Sequence, residues 1–436
     1  MNTSIKYIID ENVEHVKYDN LYYMNGEFLI LTNENENIPV VKEIRLLGGP
    51  EHSGLIPNNK YTLIPKILTF DTADKLKIYI NKQKLVIIKG VTNYFAHYYD
   101  HNVAHGLYDA LYPSFLSLLQ FYNEDMSYNN LIDIFKIPGW TFPGNASRDW
   151  LLDIFKDFSM GKNIYKNMFK PGQMYCFETL IAGSGFAGIS SVNKMGIMPG
   201  KHLYALEKFR DRFYNVYDIK KTPKTNSNIK LLIIDSSRYS SDEKQILNNI
   251  KLDLLRDKQI DINYISWKDI QNFKQQIEIM NNCDIHIAGA GTTMLNFPFL
   301  NNNSIHINLG VDKMLPTTNP SLLEVNCCLL SNNIYCDFYD IYKYKQINYE
   351  VLKNMIQKNI DYLKNLYSNH EKNTIKKTIV PDYIIKWREI CQNNSNTEYS
   401  NYDMNEIIDR MNGLKNPNLI IYRHPDMFIY KYYNYH

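Results

Sequence analysis

The sequence predicts an α/β fold built on parallel strands, and two observations carry that prediction. Over residues 230–309, short apolar runs of strand length alternate with segments of helical period in the order β-α-β-α-β-α-β, and parallel strands need such crossover connections. Earlier, the apolar run KLVIIKG at 84–90 ends in Gly just before a long helix-forming stretch, a second strand-loop-helix unit. A chain of 436 residues, 44% of them hydrophobic, has enough apolar surface for two packed domains.

Residues 22–46 alternate β-prone runs (GEFLILTN, IPVVKEIRL) with turn-forming Asn and Gly, so 1–83 reads as a strand-rich N-terminal segment. The strand at 84–90 opens a first Rossmann-like domain, 84–220. Its main helix is expected over 93–122, where Leu107, Leu111, Phe115, Leu118 and Leu119 form an apolar face and Pro113 is placed to kink or divide it. Pro138, Gly139, Pro143 and Gly144 mark turns before a helix at 148–159. A strand at 173–182 then leads into GSGFAGISS, whose Gly183, Gly185 and Gly188 fit G-x-G-x-x-G. No convincing helix follows, so a loop lining a cleft is the plainer reading than a dinucleotide fingerprint. A charged helix at 203–218 and the linker KKTPKTNSN close this domain.

A second Rossmann-like domain, 221–345, is expected to carry strands at 230–235, 260–266, 284–288 and 304–309, with helices at 242–256, 268–281 and 292–300. Helices over 350–390 begin a C-terminal part, 346–436. Its Tyr-rich end, IIYRHPDMFIYKYYNYH, either adds a helix or strand to a surface or supplies a homodimer contact.

Composition narrows the function. The 48 basic residues nearly balance the 46 acidic ones, and a net charge of +2 argues against nucleic acid as a partner. Cys176, Cys283, Cys327, Cys328, Cys336 and Cys391 show no C-x-x-C spacing and read as free thiols in a reducing compartment. The N-terminus has no apolar core of signal-peptide length, and no run approaches the ~18 apolar residues of a membrane span. A soluble, cytoplasmic protein is therefore expected. The wealth of Asn, Lys, Ile and Tyr points to an AT-rich genome, viral or microbial.

Two stretches concentrate chemistry. His97, His101, His105 and Asp109 follow at four-residue steps, with Asn102 three residues before His105, so a helix would align them in a row. Imidazoles one turn apart can converge on a transition metal, which would make this a metal-dependent hydrolase, although HExxH is absent. The second stretch runs from strand 284–288 into Gly289, Ala290, Gly291, Thr292 and Thr293. It would present backbone N–H groups and two hydroxyls at a helix N-terminus, suited to a diphosphate or simply to a capped tight turn.

The segments HNVAHGLYDALYP, LEKFRDRF, IIDSSRYSSDEKQILNN and CDIHIAGAGTTMLNFPFLNNNSIHINLG, in this order and spacing, resemble glycosyltransferase family 61 over residues 85–340. Asn102, His105 and Asp109 keep the family's N-x-x-H-x-x-x-D, Ser237 and Arg238 its Ser-Arg, and Asn248 its Asn. Lys244 stands where the family often has Arg, Asn249 where it often has Glu, and Ala288 where it often has His. The resemblance implies a GT-B architecture: two Rossmann-like domains facing a cleft, with C-terminal helices packed across both and the nucleotide sugar mainly on the second.

It further implies an inverting transfer from a nucleotide sugar, such as UDP-GlcNAc or UDP-xylose, to a hydroxyl of a glycan or protein acceptor. No cofactor and no metal are expected, in keeping with the absence of an Asp-x-Asp triplet. In this scheme His105 is the base, and Asp109 orients it or is itself the base. Asn102 joins that row. Arg238 grips the diphosphate, Gly289, Ala290, Gly291, Thr292 and Thr293 complete the cradle, and Glu324 binds a ribose or sugar hydroxyl. Ala288 keeps a further reading open, a catalytically inactive nucleotide-sugar-binding protein.

Overall fold

The computed structural model describes residues 2–10, 13–33, 40–46, 62–96, 103–122, 130–133, 146–160, 163–165, 168–183, 205–225, 228–270, 272–289, 291, 296–310, 327–328, 331, 333–344, 346–368, 375–378, 419–424 and 427–432. The fold is α/β, in two compact units: Met1–Leu203 with Ile420–Pro425 and Ile429–His436, and Tyr204–Leu419 with Asp426–Phe428.

Unit 1 is organised by a sheet of eight strands. In chain order these are β1 (Ser4–Asp10), β2 (Val13–Met24) and β3 (Glu27–Thr32), then, after the small pair β4 (Ile44–Arg45) and β5 (Thr62–Leu63), β6 (Lys66–Thr69). Helix α1 (Ala73–Lys82) and β7 (Leu85–Phe95) follow. Then come α2 (Val103–His105), a π-helical stretch Gly106–Leu111, α3 (Tyr112–Tyr122), β8 (Asn130–Asp133), α4 (Ala146–Phe158), β9 (Asn163–Tyr165) and β10 (Met174–Ala182). The order across the sheet is β6-β3-β2-β10-β7-β8-β9, with β1 on β2. Strands β10, β7, β8 and β9 run parallel. Strand β2 is antiparallel to β1, β3 and β10, with Cys176 opposite Tyr22. The N-terminal strands are thus half of this sheet rather than a piece ahead of it.

Strand β7 runs past Gly90, where the sequence suggested it would stop, and residues 93–95 are strand rather than the start of the helix. The reason is local. The β7–β10 register shifts between Phe177 and Thr179. At this bulge the carboxylate of the exposed Glu178 accepts the Gly90 N–H at 2.6 Å. Gly90 takes φ +84°, which absorbs the irregularity without ending the strand.

Unit 2 begins with α5 (Ala205–Val216), so the chain joins it earlier than the linker at 220–228 suggested. Arg210, 1% exposed, donates to Leu300 O and Asn302 Oδ1, each at 2.8 Å, and Tyr214 OH donates to Phe299 O at 2.6 Å. The linker is itself tied down, with Lys224 Nζ on Asp284 Oδ1 at 2.9 Å.

Then come β11 (Ile229–Ile234), α6 (Ser241–Leu254), β12 (Ile260–Ile265), α7 (Phe273–Asn282), β13 (Ile285–Ala288), β14 (Ser304–Asn308), β15 (Ile334–Phe338) and α8 (Tyr349–Ser368). All five strands are parallel, in the order β12-β11-β13-β14-β15. Ile229, Leu231, Ile233, Ile285, Ile287, Ile305 and Ile307 turn one face toward Leu247, Ile250 and Leu254 of α6 and Leu352, Ile356 and Ile360 of α8. Each such side chain, fully buried, contributes about 1.5–3 kcal/mol, an upper estimate for a chain already partly collapsed when unfolded.

Two expected helices differ. Ser266 and then Asn272 cap separate turns, so 268–281 becomes a 3₁₀ turn Trp267–Asp269 followed by α7. Within 292–300 the described residues form only the 3₁₀ turn Phe297–Phe299, with Pro298 as its second residue. The tail forms a two-stranded sheet, β16 (Leu419–His424) with β17 (Met427–Tyr432). Of the helices expected over 350–390 the described one is α8. Among the described residues no helix is long and apolar enough to cross a membrane, and the five described cysteines are buried and form no disulfide.

Candidate functional site

Strand order marks a candidate site in unit 2. The chain leaves β11 through α6 to β12 on one side, then returns through α7 to β13 on the other. Between β11 and β13 successive connections part in opposite directions, and open α/β sheets bind ligands in the crevice this leaves at the carboxyl ends of the strands.

The two loops that flank the crevice interlock. After β11, Asp235 to Tyr239 make a tight turn, with Tyr239 N–H on Ser236 O at 3.2 Å and Arg238 N–H on Ser236 Oγ at 3.2 Å. The turn exposes Arg238 and buries Tyr239 in the core. A Cβ built on Gly291 would lie 2.7 Å from Arg238 Nη1 and 2.9 Å from its Cζ, and Gly291 has φ +101°. A Cβ on Gly289 would lie 2.8 Å from the Tyr239 ring and hydroxyl. The two glycines are therefore there for close approach: Arg238 lies against one and Tyr239 against the other. Burial pushes the Tyr239 hydroxyl up, with the Gly289 backbone acting against the shift from a position that closes no well-aligned hydrogen bond. Tyr239 stays neutral.

Charge here is ordered too. Lys244 Nζ is 2.9 Å from Asp235 Oδ2, and Tyr264 OH donates to Asp235 Oδ1 at 3.1 Å, so Lys244 is spent on a carboxylate. The N-terminus of α6 is closed by its own capping box. Glu243 Oε2 accepts the Ser240 N–H at 2.8 Å, and Ser240 Oγ accepts the Glu243 N–H at 3.3 Å. An anion in this crevice would therefore meet the Arg238 guanidinium and the backbone around Gly289 and Gly291 rather than α6.

Below this loop lies a feature the sequence did not announce. His286 and His306 occupy paired positions on β13 and β14, both fully buried, with Nδ1 atoms 3.0 Å apart. Phe297 stacks on His306 at 4.5 Å and 6°. Burial holds both imidazoles well below the ordinary histidine range, so one Nδ1–H donates to the other ring's lone pair. The signal in the sequence was I-H-I at the same place in two successive strands. A separate groove of about 450 Å³, lined by Lys230, Asp261, Asn263 and Glu278, opens toward the amino-terminal halves of β11 and β12 and does not belong to this rim.

In unit 1, His105 ends α2 and Asp109 lies in the π-helical stretch. The backbone of both is described; their side chains are not. Their neighbours Leu107, Tyr108, Ala110 and Leu111 are at most 3% exposed, so the motif sits on a helix anchored in the core. A Cβ on Gly106 would come within 2.4 Å of Leu151 Cδ1, so α4 packs directly on the helix backbone there. The π-helical stretch ends just before Pro113, which has no N–H to give the carbonyl one turn back. Wider i→i+5 pairing ahead of it accommodates that loss. Such stretches recur at functional sites.

A second buried polar cluster anchors α3. Ser117 Oγ meets both His15 Nδ1 and Gly183 O, and Asn93 Nδ2 donates to Ser114 O at 2.8 Å. Burial lowers His15 to about 4, the Gly183 carbonyl opposing the shift.

The structure thus brings together Arg238, Gly289 and Gly291. Asn102, Ala290, Thr292, Thr293 and Glu324, with His97 and His101, lie outside the described residues. Among the described residues no group of three or more His, Cys, Asp or Glu side chains could hold a metal ion, which leaves the histidine row untouched. Comparison with known protein families finds no match, and comparison with curated proteins finds none either.

Proposed function

We propose that this chain is an inverting glycosyltransferase that binds a nucleotide sugar, most simply a UDP-sugar, at the carboxyl edge of unit 2 and transfers the sugar to a hydroxyl of a glycan or protein. One observation carries the reading: the Arg238 guanidinium lies against Gly291 at the point where the strand order reverses. A guanidinium beside a loop without side chains meets the two needs of a departing diphosphate, forked charge-assisted hydrogen bonds and close backbone N–H groups. The sequence resemblance to glycosyltransferase family 61 supports the same assignment, and the proposal extends to the GT-B architecture that the resemblance implies.

In the reaction the acceptor oxygen attacks the anomeric carbon and loses its proton to a base. The bond from that carbon to the diphosphate oxygen breaks, and the negative charge that collects on the diphosphate is met by Arg238. In this proposal His105 is the base, Asp109 orients it or replaces it, and Asn102 serves the same row. Ala290, Thr292 and Thr293 complete the phosphate cradle, and Glu324 takes a ribose or sugar hydroxyl. The cationic side chain and the backbone do the work that a metal ion does elsewhere, so EDTA leaves binding intact.

The test is ligand-induced thermal stabilisation with UDP-, GDP- and dTDP-sugars, with and without EDTA. One nucleotide class should raise the melting temperature of the wild type and fail to raise that of Arg238→Ala. If no nucleotide does so and EDTA alone destabilises the protein, a metal-dependent reading of His97, His101, His105 and Asp109 replaces this one. A second reading rests on Ala288, fully buried on β13 where an imidazole would stand in the resembling family. Donor binding with no turnover in the presence of acceptors would identify a nucleotide-sugar-binding protein without activity.

A further inference from the structure

The rim of the crevice continues one strand further than the predicted motif. Strand β12 lies beside β11 in register, Ile265 opposite Ile234, and the Asp235 N–H donates to Ile265 O at 2.7 Å. Both strands therefore end at the same level. Beyond Ile265 the chain does not pass straight into α7: Ser266 caps a single 3₁₀ turn, its Oγ accepting the Lys268 N–H at 3.3 Å, and the Ile270 N–H closes the turn on Trp267 O at 3.2 Å.

No residue of that turn is buried, and its first residue is Trp267, partly exposed. An indole is among the largest apolar surfaces a chain can bury, and in this segment Phe273, Ile277 and Met280 of α7 enter the core while Trp267 stays at the rim. Three consecutive strands, β12, β11 and β13, thus end in a partly exposed indole, in the turn that carries Arg238, and in the glycines against it. Two inter-strand spacings, roughly 9–10 Å, separate the first from the last, a span that a nucleoside diphosphate can cover. The middle strand ends at Asp235, whose carboxylate is already engaged by Lys244 and Tyr264.

We infer that Trp267 is the platform on which the base of the bound nucleoside diphosphate stacks, while its phosphates lie on Arg238 and the Gly289 and Gly291 backbone. The inference rests on the nucleotide-binding reading above and adds to it the subsite that separates a nucleoside diphosphate from a bare diphosphate. A π-face accepts any base, so the platform supplies affinity, and selection among bases belongs to other groups.

UDP, GDP, dTDP and inorganic pyrophosphate are titrated into the wild type, Trp267→Ala, Trp267→Phe and Arg238→Ala, read by tryptophan emission and by thermal shift. The nucleotide that binds best should quench wild-type emission, as pyrophosphate should not. Trp267→Ala should weaken that nucleotide on the order of tenfold, the effect of losing one stacked base, with pyrophosphate unchanged. Trp267→Phe, which keeps an aromatic face, should bind within a few-fold of wild type and lose the quench. Arg238→Ala should weaken nucleotide and pyrophosphate alike. If Trp267→Ala binds the nucleotide like wild type while Arg238→Ala does not, the platform is overturned and the nucleotide site stands. If none of the four probes binds the wild type, the nucleotide reading fails and takes the platform with it.

Discussion

The carboxyl edge of unit 2 and the helix of unit 1 place their polar residues by opposite means. In unit 2, Arg238, Tyr239, Gly289 and Gly291 sit on loops, yet each loop leaves a largely buried strand whose register is fixed by parallel neighbours on both sides, and close contact across two glycines locks the loops together. In unit 1, His105 and Asp109 ride on a helix, the more regular element, but that helix changes from α to π between the two and returns to α only at Tyr112. A loop between rigid strands can be better determined than a helix whose own hydrogen bonding is unsettled. The candidate anion site relies on the first device and the candidate base on the second.

Acid breaks the comparison hardest, because among the described residues both units carry buried neutral histidines in unequal number. His15 is in unit 1; His286 and His306 are in unit 2. An unfolded histidine titrates near its ordinary value of about 6.5, whereas folded His15 takes up a proton only near 4. Between those values the unfolded chain binds more protons, so stability falls as pH drops and is level above that window. His15 alone removes up to about 3 kcal/mol by pH 4. The stacked pair should remove more, so hydrogen exchange between pH 7 and pH 4.5 should expose amides of β13 and β14 before those of β2 and β10. Earlier loss in unit 1 would mean that the His286–His306 pair is less well shielded than its burial indicates.

Substitution at the two sites separates binding from stability. On the proposed reading, Arg238→Ala would remove charge-assisted hydrogen bonds to the diphosphate, about 1.5–3 kcal/mol, which is roughly ten- to hundred-fold in the dissociation constant. Because Arg238 is exposed, the melting temperature without ligand should fall far less than its ligand-induced shift does. Gly106→Ala does the reverse. Its methyl group would press on Leu151, 1% exposed, and overpacking of this kind costs about 1–3 kcal/mol. Nucleotide affinity of the fraction that stays folded should be unchanged. A calorimetric titration beside a denaturant melt reads both.

The two regions were also unequally legible. Strands expected at 230–235, 260–266, 284–288 and 304–309 occur as Ile229–Ile234, Ile260–Ile265, Ile285–Ala288 and Ser304–Asn308, because near-continuous apolar runs in the three inner strands, and alternation of buried and exposed residues in the edge strand Ile260–Ile265, leave strong local signals. The meeting of Arg238 with the Gly289 and Gly291 loop could be expected for the same reason. What escaped depends on pairing between distant residues. Tyr22 opposite Cys176 joins β2, and with it β1, β3 and β6, to the main sheet, and no local pattern announces that. The His286–His306 contact needs the β13–β14 register, and Gly90 looked like a strand end because the Glu178 bulge it serves is 88 residues away. Arg210 escaped as well, since a charged helix gives no hint that one of its guanidinium groups caps carbonyls in the core.

The smallest expected effect is the sharpest test of how unit 2 handles charge. Lys244 and Asp235 are each about a third exposed, at 39% and 32%, and a pair so placed is worth at most about 1 kcal/mol. Lys244→Ala should therefore leave the melting temperature nearly unchanged. It should still weaken nucleotide binding a few-fold, because Asp235 would then present an unneutralised carboxylate beside the bound diphosphate. That loss comes from repulsion between exposed charges, so it should shrink as salt rises toward 1 M, where the screening length is about 3 Å. Asp235→Asn on the same background should restore affinity. A loss near tenfold that survives both salt and the second substitution would show instead that Lys244 reaches the phosphates itself, and the cradle would then hold two cations.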